Sequence, residues 1–319
     1  MTPANIRIIN QLHIDQAAET SRLIDGLRNA DAHIEPKYFY DPLGCALYGA
    51  ICNLDEYYPT RTERSIFGRY RNEIAERIGH GGTFVDLGAG DCAKAQEWLP
   101  HILPARYLAV DIAGPSLEEA LINLSAEFPA VEMLGLVTDF SQTLTVPGEL
   151  LRGSATVFYP GSSIGNFAPP AAIRFLREMR ATAAPGGGGL LIGVDAKKDK
   201  ARLDAAYDDA LGVTAAFNLN ALRHINRVHG CDFDIRAWRH VGFYNESEGR
   251  VEMHLESMQD QVVVIAGQDR AFRRGEKIHS ENAYKYHQHE FVALLTAAGF
   301  EDISCWSNDA NEFWVFYAK

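Results

Sequence analysis

Missing from the sequence are the marks of a secreted, membrane-bound or metal-clustering protein. Its five cysteines, Cys45, Cys52, Cys92, Cys231 and Cys305, are odd in number and form no C-x-x-C pair. They read as reduced, packed thiols, which excludes a disulfide framework and a cysteine zinc site. The eleven histidines form no H-E-x-x-H; His287 and His289 lie two apart, and no metal is expected. No apolar stretch approaches the length that crosses a bilayer, and Met1-Thr2-Pro3-Ala4-Asn5 has no basic-then-apolar leader pattern. A soluble, cytoplasmic protein without a membrane partner is expected. Basic side chains are outnumbered, 30 against 42 acidic, for a net charge of −12, and no basic patch stands out. Nucleic acid is therefore not an expected partner. Internal repeats and low-complexity tracts are absent too. At 319 residues and 47% hydrophobic, the chain can build one large α/β domain with an insertion or two modest domains.

What is present is organised around Thr83-Phe84-Val85-Asp86-Leu87-Gly88-Ala89-Gly90-Asp91-Cys92. A β-type apolar run enters an acid and two glycines one residue apart, and Ala93 to Leu103 reads as helix. Gly88 and Gly90 admit a ligand close to the backbone, and the helix start offers unpaired N–H groups. Asp111 closes the next apolar run, Tyr107-Leu108-Ala109-Val110, where an acid can take both hydroxyls of a ribose. The turn Gly88-Ala89-Gly90-Asp91-Cys92-Ala93 also satisfies the dinucleotide pattern G-x-G-x-x-G/A, so two cofactors compete. Asp86 favours S-adenosylmethionine over NAD, because a carboxylate there repels a pyrophosphate and suits the ammonium of a methionine moiety. Asp139, ending Val137-Thr138-Asp139-Phe140, is placed to accept the adenine amino hydrogen while Phe140 packs on the ring.

Along the chain, Ile14 to Leu27 reads as a helix, Cys45 to Leu54 as another, and Arg64 to Ile78 as a third. Tyrosines and phenylalanines cluster in Pro36 to Gly44 and Glu56 to Glu63, loop-like stretches bounded by proline, where they suit the wall of a pocket holding a cation. Ser154 to Tyr159 is a strand running into Pro160-Gly161-Ser162-Ser163-Ile164-Gly165-Asn166-Phe167. Pro170 to Ala183 is a helix, and Leu190 to Asp195 a strand. The helix His289 to Ala298 and strands Asp302 to Ser307 and Glu312 to Ala318 close the chain as a hairpin, an ending that classical NAD domains do not normally have. Between them lies an insertion, Ala196 to Tyr286, helical over Lys200 to Leu211 and Ala215 to His229, then stranded over Trp238 to Asn245, Arg250 to Ser257 and Gln261 to Ala266. These readings predict an α/β class I methyltransferase fold, a Rossmann-like doubly wound sheet, over 62–195 plus 287–319. A smaller α+β substrate-binding domain is predicted over 1–61 plus 196–286.

Several blocks now resemble one family: Tyr38-Phe39-Tyr40-Asp41, Glu56-Tyr57-Tyr58-Pro59-Thr60-Arg61-Thr62-Glu63, Gly161 to Phe167, Ala205-Ala206-Tyr207, Phe217-Asn218-Leu219-Asn220 and Ile278-His279-Ser280-Glu281. Together, from about residue 36 onward, they look like the histidine-specific Nα-methyltransferases, which make hercynine, the trimethylated histidine of ergothioneine biosynthesis. The resemblance implies that Tyr57, Asn166 and Tyr207 hold the α-amine and α-carboxylate of an amino acid, with Tyr57 and Asn166 as the catalytic pair. It also implies that Tyr40 and Met253 line the side-chain pocket, that Glu281 reads the imidazole, and that Gly88, Lys94, Asp111, Asp139 and Phe140 contact the cofactor. Asp86 and Gly90 join that cofactor set from the reading of the turn. One departure stands out: the family carries a serine two residues after the glutamate, and here that residue is Ala283. If the stretch is a strand, Glu281 and Ala283 share a face and Ser280 and Asn282 point away.

The expected activity is methylation of the α-amine of a free amino acid, histidine first or another aromatic amino acid, by a monomer. The other readings are an NAD-dependent oxidoreductase and a catalytically silent protein that retained the cofactor fold.

Overall fold

The computed structural model describes residues 6–12, 15–141 and 143–319. The leader reading of residues 1–5 and Ile14, the first residue of the expected opening helix, lie outside them. The chain runs through β1 (Ile6–Asn10), α1 (Gln16–Arg28), α2 (Pro42–Ile51), α3 (Pro59–Ile78), β2 (Thr83–Leu87), α4 (Ala93–Gln96), α5 (Leu99–Ile102), β3 (Arg106–Asp111) and α6 (Gly114–Glu127). Next come β4 (Glu132–Val137), β5 (Ala155–Tyr159), α7 (Pro169–Ala183), β6 (Gly189–Asp195), α8 (Lys200–Tyr207), α9 (Val213–His229), β7 (Trp238–Asn245) and β8 (Arg250–Ser257). It ends with β9 (Gln261–Ile265), β10 (Gln268–Phe272), β11 (Lys277–Tyr284), α10 (Gln288–Ala298), β12 (Ile303–Ser307) and β13 (Phe313–Ala318).

Two compact units result, one from the described residues of 1–13, 61–196 and 286–319, the other from those of 14–60 and 197–285. The first is an eight-stranded sheet in the order β1-β4-β3-β2-β5-β6-β13-β12. Every residue of β2, β5 and β6 is buried, which is why these strands read as near-continuous apolar runs: helices cover both faces of a parallel sheet. From β2 the chain steps outward through β3 to β4, and from β5 the other way to β6. The order therefore reverses between β2 and β5, at whose carboxyl ends ligands bind in open α/β sheets. Strand β13 runs antiparallel to both β6 and β12.

The second unit holds a three-stranded antiparallel sheet, β11-β8-β7, and the hairpin β9–β10, with α1, α2, α8 and α9. Its core includes Leu27, Phe39, Leu203, Phe217, Leu222, Leu255 and Ile278, and the rings of Phe39 and Phe217 stack at 4.7 Å.

The fold corrects the sequence reading in places. The sequence places residues 1–61 in the substrate domain, yet Ile6–Asn10 pairs in parallel with β4, register Ile6 to Met133 through Asn10 to Val137, and so belongs to the first unit. A lone five-residue strand carries too little periodic signal to show which sheet edge it will complete. The helix expected over Ala93 to Leu103 is two short helices, α4 and α5. Pro100 sits in the first turn of the second, where its missing N–H costs nothing but would break a continuous helix. The sequence reading does not mark β10 and offers a strand around Glu281 only as a condition, which β11 meets.

Candidate functional site

In the first unit the candidate residues gather at the carboxyl ends of the parallel strands. Gly88 and Gly90 adopt φ of 71° and 54°, the left-handed conformation that glycine enters without strain. A side chain at position 88 would meet the Phe140 ring, 3.8 Å from its Cβ. Gly88 donates its N–H to Val110 O at 2.9 Å, tying the turn to β3. Asp111 braces the same turn: Oδ2 accepts the Gly90 N–H and Oδ1 the Ala113 N–H, both at 2.9 Å. Each carboxylate oxygen keeps a further lone pair for a ligand hydroxyl. Asp139 accepts the Ser141 N–H through Oδ1 at 2.9 Å, and Phe140 stacks on Phe175 at 6.0 Å.

Asp86 is 2% exposed, with Oδ2 accepting the Tyr107 hydroxyl at 2.8 Å. Burial pushes its carboxyl up to about 7, against the pull of that hydroxyl and of the Lys94 charge. The side chain expected to meet a ligand ammonium is thus covered beneath the turn. Tyr107, its partner, was not singled out in the sequence, because a tyrosine in a buried strand reads as core.

Glu63 was also missed as a site residue. Only 1% exposed, it accepts the Gly161 N–H through Oε1 at 2.7 Å and pairs through Oε2 with Lys94 Nζ at 2.6 Å. The absence of a side chain at Gly193 makes room for it: a Cβ there would lie 2.0 Å from Glu63 Oε1. Glu63 therefore fixes both the lysine and the loop after β5. Ser162 Oγ accepts the Asp195 N–H at 2.9 Å and pins that loop to β6, and Asn166 ends its 3₁₀ turn, Ser163–Asn166. The signal was available, since Glu63 closes the aromatic block that begins at Glu56.

In the second unit the tyrosines form a chain of rings: Tyr40 to Tyr48 at 6.2 Å, Tyr48 to Tyr57 at 6.5 Å, and Tyr57 to Tyr207 at 6.1 Å. Tyr48, on α2, is the member that sequence reasoning passed over as part of a helix. It is hydrogen-bonded to Tyr57, whose phenol is held well above its usual pKa by burial and by Tyr207 beside it. Tyr57 stays a neutral hydroxyl and can orient a group, not act as a phenolate base.

Strand β11 carries the remaining candidates. Glu281 pairs with Met253 and Ala283 with Val251, after a bulge between His279 and Glu281. Ser280 turns its hydroxyl onto Met253 O at 3.0 Å and is unavailable to a ligand. Met253 is 2% exposed and Ala283 6%, both in the unit's core. Burial pushes the Glu281 carboxyl up to about 7, and the Lys285 charge pulls it back. Glu252, His254 and His279 also come within metal-ligand reach of one another, a grouping that no short sequence motif marks. Glu252 there already accepts from Arg250 at 2.9 Å and Asn245 at 3.1 Å and meets His254 at 3.0 Å.

A reversed strand order, a glycine turn after the first central strand, acids at the tips of the strands that follow and an antiparallel last strand define a class I S-adenosylmethionine-dependent methyltransferase. The donor set fits that cofactor: a carboxylate with spare lone pairs at Asp111, an aromatic slot at Phe140 and a cation at Lys94. The model of the histidine-specific, S-adenosylmethionine-dependent methyltransferase family matches residues 19–319, and the chain belongs to that family. A histidine N-alpha-methyltransferase of Mycolicibacterium smegmatis is 37% identical over 319 residues, 97% of each chain. A protein of that name from Mycobacterium tuberculosis is 36% identical over 295 residues, 90% of each. More distant is a 4-dimethylallyltryptophan N-methyltransferase of Claviceps purpurea, 25% identical over 98% of this chain and 97% of its own.

Proposed function

We propose that the protein methylates the α-amine of free L-histidine successively, ending at the trimethylated betaine hercynine. The observation that carries this reading is the Glu281 carboxylate on one sheet face of a unit whose aromatic chain ends in the Tyr57 and Tyr207 hydroxyls. The mycobacterial relatives support the choice of histidine.

S-adenosylmethionine supplies a methyl group on a sulfonium, open to in-line displacement. What remains for the protein is to position a neutral amine and exclude water around it. In this proposal Tyr57, Asn166 and Tyr207 hold the amino-acid head group. Glu281 accepts the imidazole N–H, while Tyr40 and Met253 close the side-chain pocket. The first unit's Asp111, Asp139, Phe140, Lys94, Gly88 and Gly90 hold the cofactor, with Asp86 acting on the ammonium from beneath the turn, through water. With Tyr57 held protonated, the amine proton leaves to water. As methyls accumulate the nitrogen loses its donors and becomes a fixed cation, which aromatic walls tolerate better than aliphatic ones.

Ala283 opens a second reading, in which another aromatic amino acid is preferred. Its methyl group offers nothing to an imidazole, Ser280 is committed to Met253 O, and Asn282 alternates to the opposite face of the strand. The Claviceps relative's tryptophan derivative is an aromatic amino acid of this kind. We expect Ala283→Ser to tighten histidine binding by roughly 5-fold or more, the worth of one hydrogen bond in a buried pocket. Titration calorimetry with S-adenosylhomocysteine present measures it, and an unchanged affinity shows that the missing hydroxyl does not set the preference.

The deciding experiment incubates the protein with S-adenosylmethionine and each of the twenty amino acids and weighs the products. Histidine is expected to give species heavier by about 14, 28 and 42 daltons, one methyl for each displacement. No mass increase with any amino acid rejects the proposal.

A further inference from the structure

Lys285 follows the last residue of β11 and prolongs its pairing, donating its backbone N–H to Gly249 O at 2.9 Å. Continuing the strand's alternation, it projects to the same side as Glu281 and Ala283. It is 1% exposed, a burial that lysine rarely reaches unless its ammonium is compensated. One group of the proposed amino-acid site touches it, and a second lies within reach of its charge. Its Nζ donates to the Tyr207 hydroxyl oxygen at 2.8 Å and lies 4.6 Å from the centre of the Tyr207 ring. Its charge is also felt by the Glu281 carboxylate.

A tyrosine hydroxyl has one proton to give and lone pairs to receive with, whereas an ammonium only donates. With Lys285 donating to the Tyr207 oxygen, the Tyr207 proton is turned toward some other acceptor, and the neighbouring cation strengthens it as a donor. A carboxylate is the acceptor such a pair favours. Glu281 and Lys285 stand four residues apart on one strand face, roughly 13 Å from Cα to Cα. That span matches an amino acid lying lengthwise, its ring toward Glu281 and its carboxylate toward Tyr207.

We propose that Lys285 is a positioning residue for the substrate α-carboxylate, acting through Tyr207 and selecting free amino acids over their amides and amines. The inference rests on the amino-acid reading above and adds to it a residue and a basis for discrimination.

The test compares histidine with histidinamide, which keeps the imidazole and the α-amine but carries no anion, in the wild-type enzyme and in Lys285→Met. The variant is expected to raise the KM for histidine by about 10- to 100-fold, the range for a hydrogen bond to a charged group, and that for histidinamide by less than about threefold. The KM for S-adenosylmethionine stays unchanged, and Lys285→Arg restores most of the preference for histidine. In a Tyr207→Phe background the Lys285→Met change adds no further loss, because the two act in series. If Lys285→Met does not fold, Lys285→Gln, which keeps a neutral donor, is expected to show the same selective loss at smaller size. Equal losses on both substrates, or a histidine KM within about twofold of wild type, overturn the role of Lys285 while wild-type turnover upholds the amino-acid reading. A wild-type enzyme that methylates neither compound overturns both.

Discussion

Replacing Asp111 by alanine is expected to weaken S-adenosylmethionine binding by roughly 100-fold or more, since the change removes two charge-assisted hydrogen bonds at once. Asp111 stands at the tip of β3 with its oxygens on the Gly90 and Ala113 amides. The loss is therefore double: the acceptors proposed for the ribose hydroxyls, and the brace that holds the glycine turn. Asp111→Asn keeps one acceptor oxygen and is expected to fall between. Calorimetric titration with S-adenosylhomocysteine measures both. An affinity within about threefold of wild type for the alanine variant removes Asp111 from the cofactor site.

The second large effect concerns Glu281. Glu281→Ala is expected to lower kcat/KM for histidine by about 100-fold, because a bound imidazole N–H then faces core without an acceptor. The KM for S-adenosylmethionine is expected not to move. The ligand-free protein offers an independent check through pH. The native carboxyl is raised to about 7, above its unfolded value, so the folded state holds the proton more tightly. That contribution to stability is complete below the usual glutamate pKa of about 4.3 and is lost as pH rises through about 7. Asp86, also raised to about 7, acts in the same direction. Glu281→Gln should therefore flatten, without abolishing, the decline in wild-type stability between pH 5 and 8, read by denaturant unfolding. An unchanged slope shows that the Glu281 carboxyl does not titrate in that range.

Much of the first unit is legible in the sequence because its strands are buried on both faces and separated by glycine turns. Thr83 to Leu87 and Gly189 to Asp195 have no face to hide, so an apolar run marks the strand and the acid or glycine after it marks its tip. The partners of those tips are less visible. Glu63 becomes a site residue only because β5 and β6 meet beneath it, and Gly193 is silent until a carboxylate is seen in the space it leaves. Tyr107 reads as core and is core, yet its hydroxyl caps Asp86. In the second unit the family blocks carry Tyr57, Tyr207 and Glu281, but Lys285 and Tyr48 lie outside any block that points to chemistry. A lysine beside a strand end looks like a solvated charge until its burial is known.

Where the methyl groups go is the most direct test of the proposed chemistry. Histidine incubated with the protein and S-adenosylmethionine carrying a 13C-labelled methyl can be followed by proton–carbon correlation spectroscopy. The prediction is label on the α-nitrogen alone, converging on a single resonance of equivalent methyls that correlates with the α-carbon. Label on an imidazole nitrogen, or on no atom of the amino acid, would contradict it.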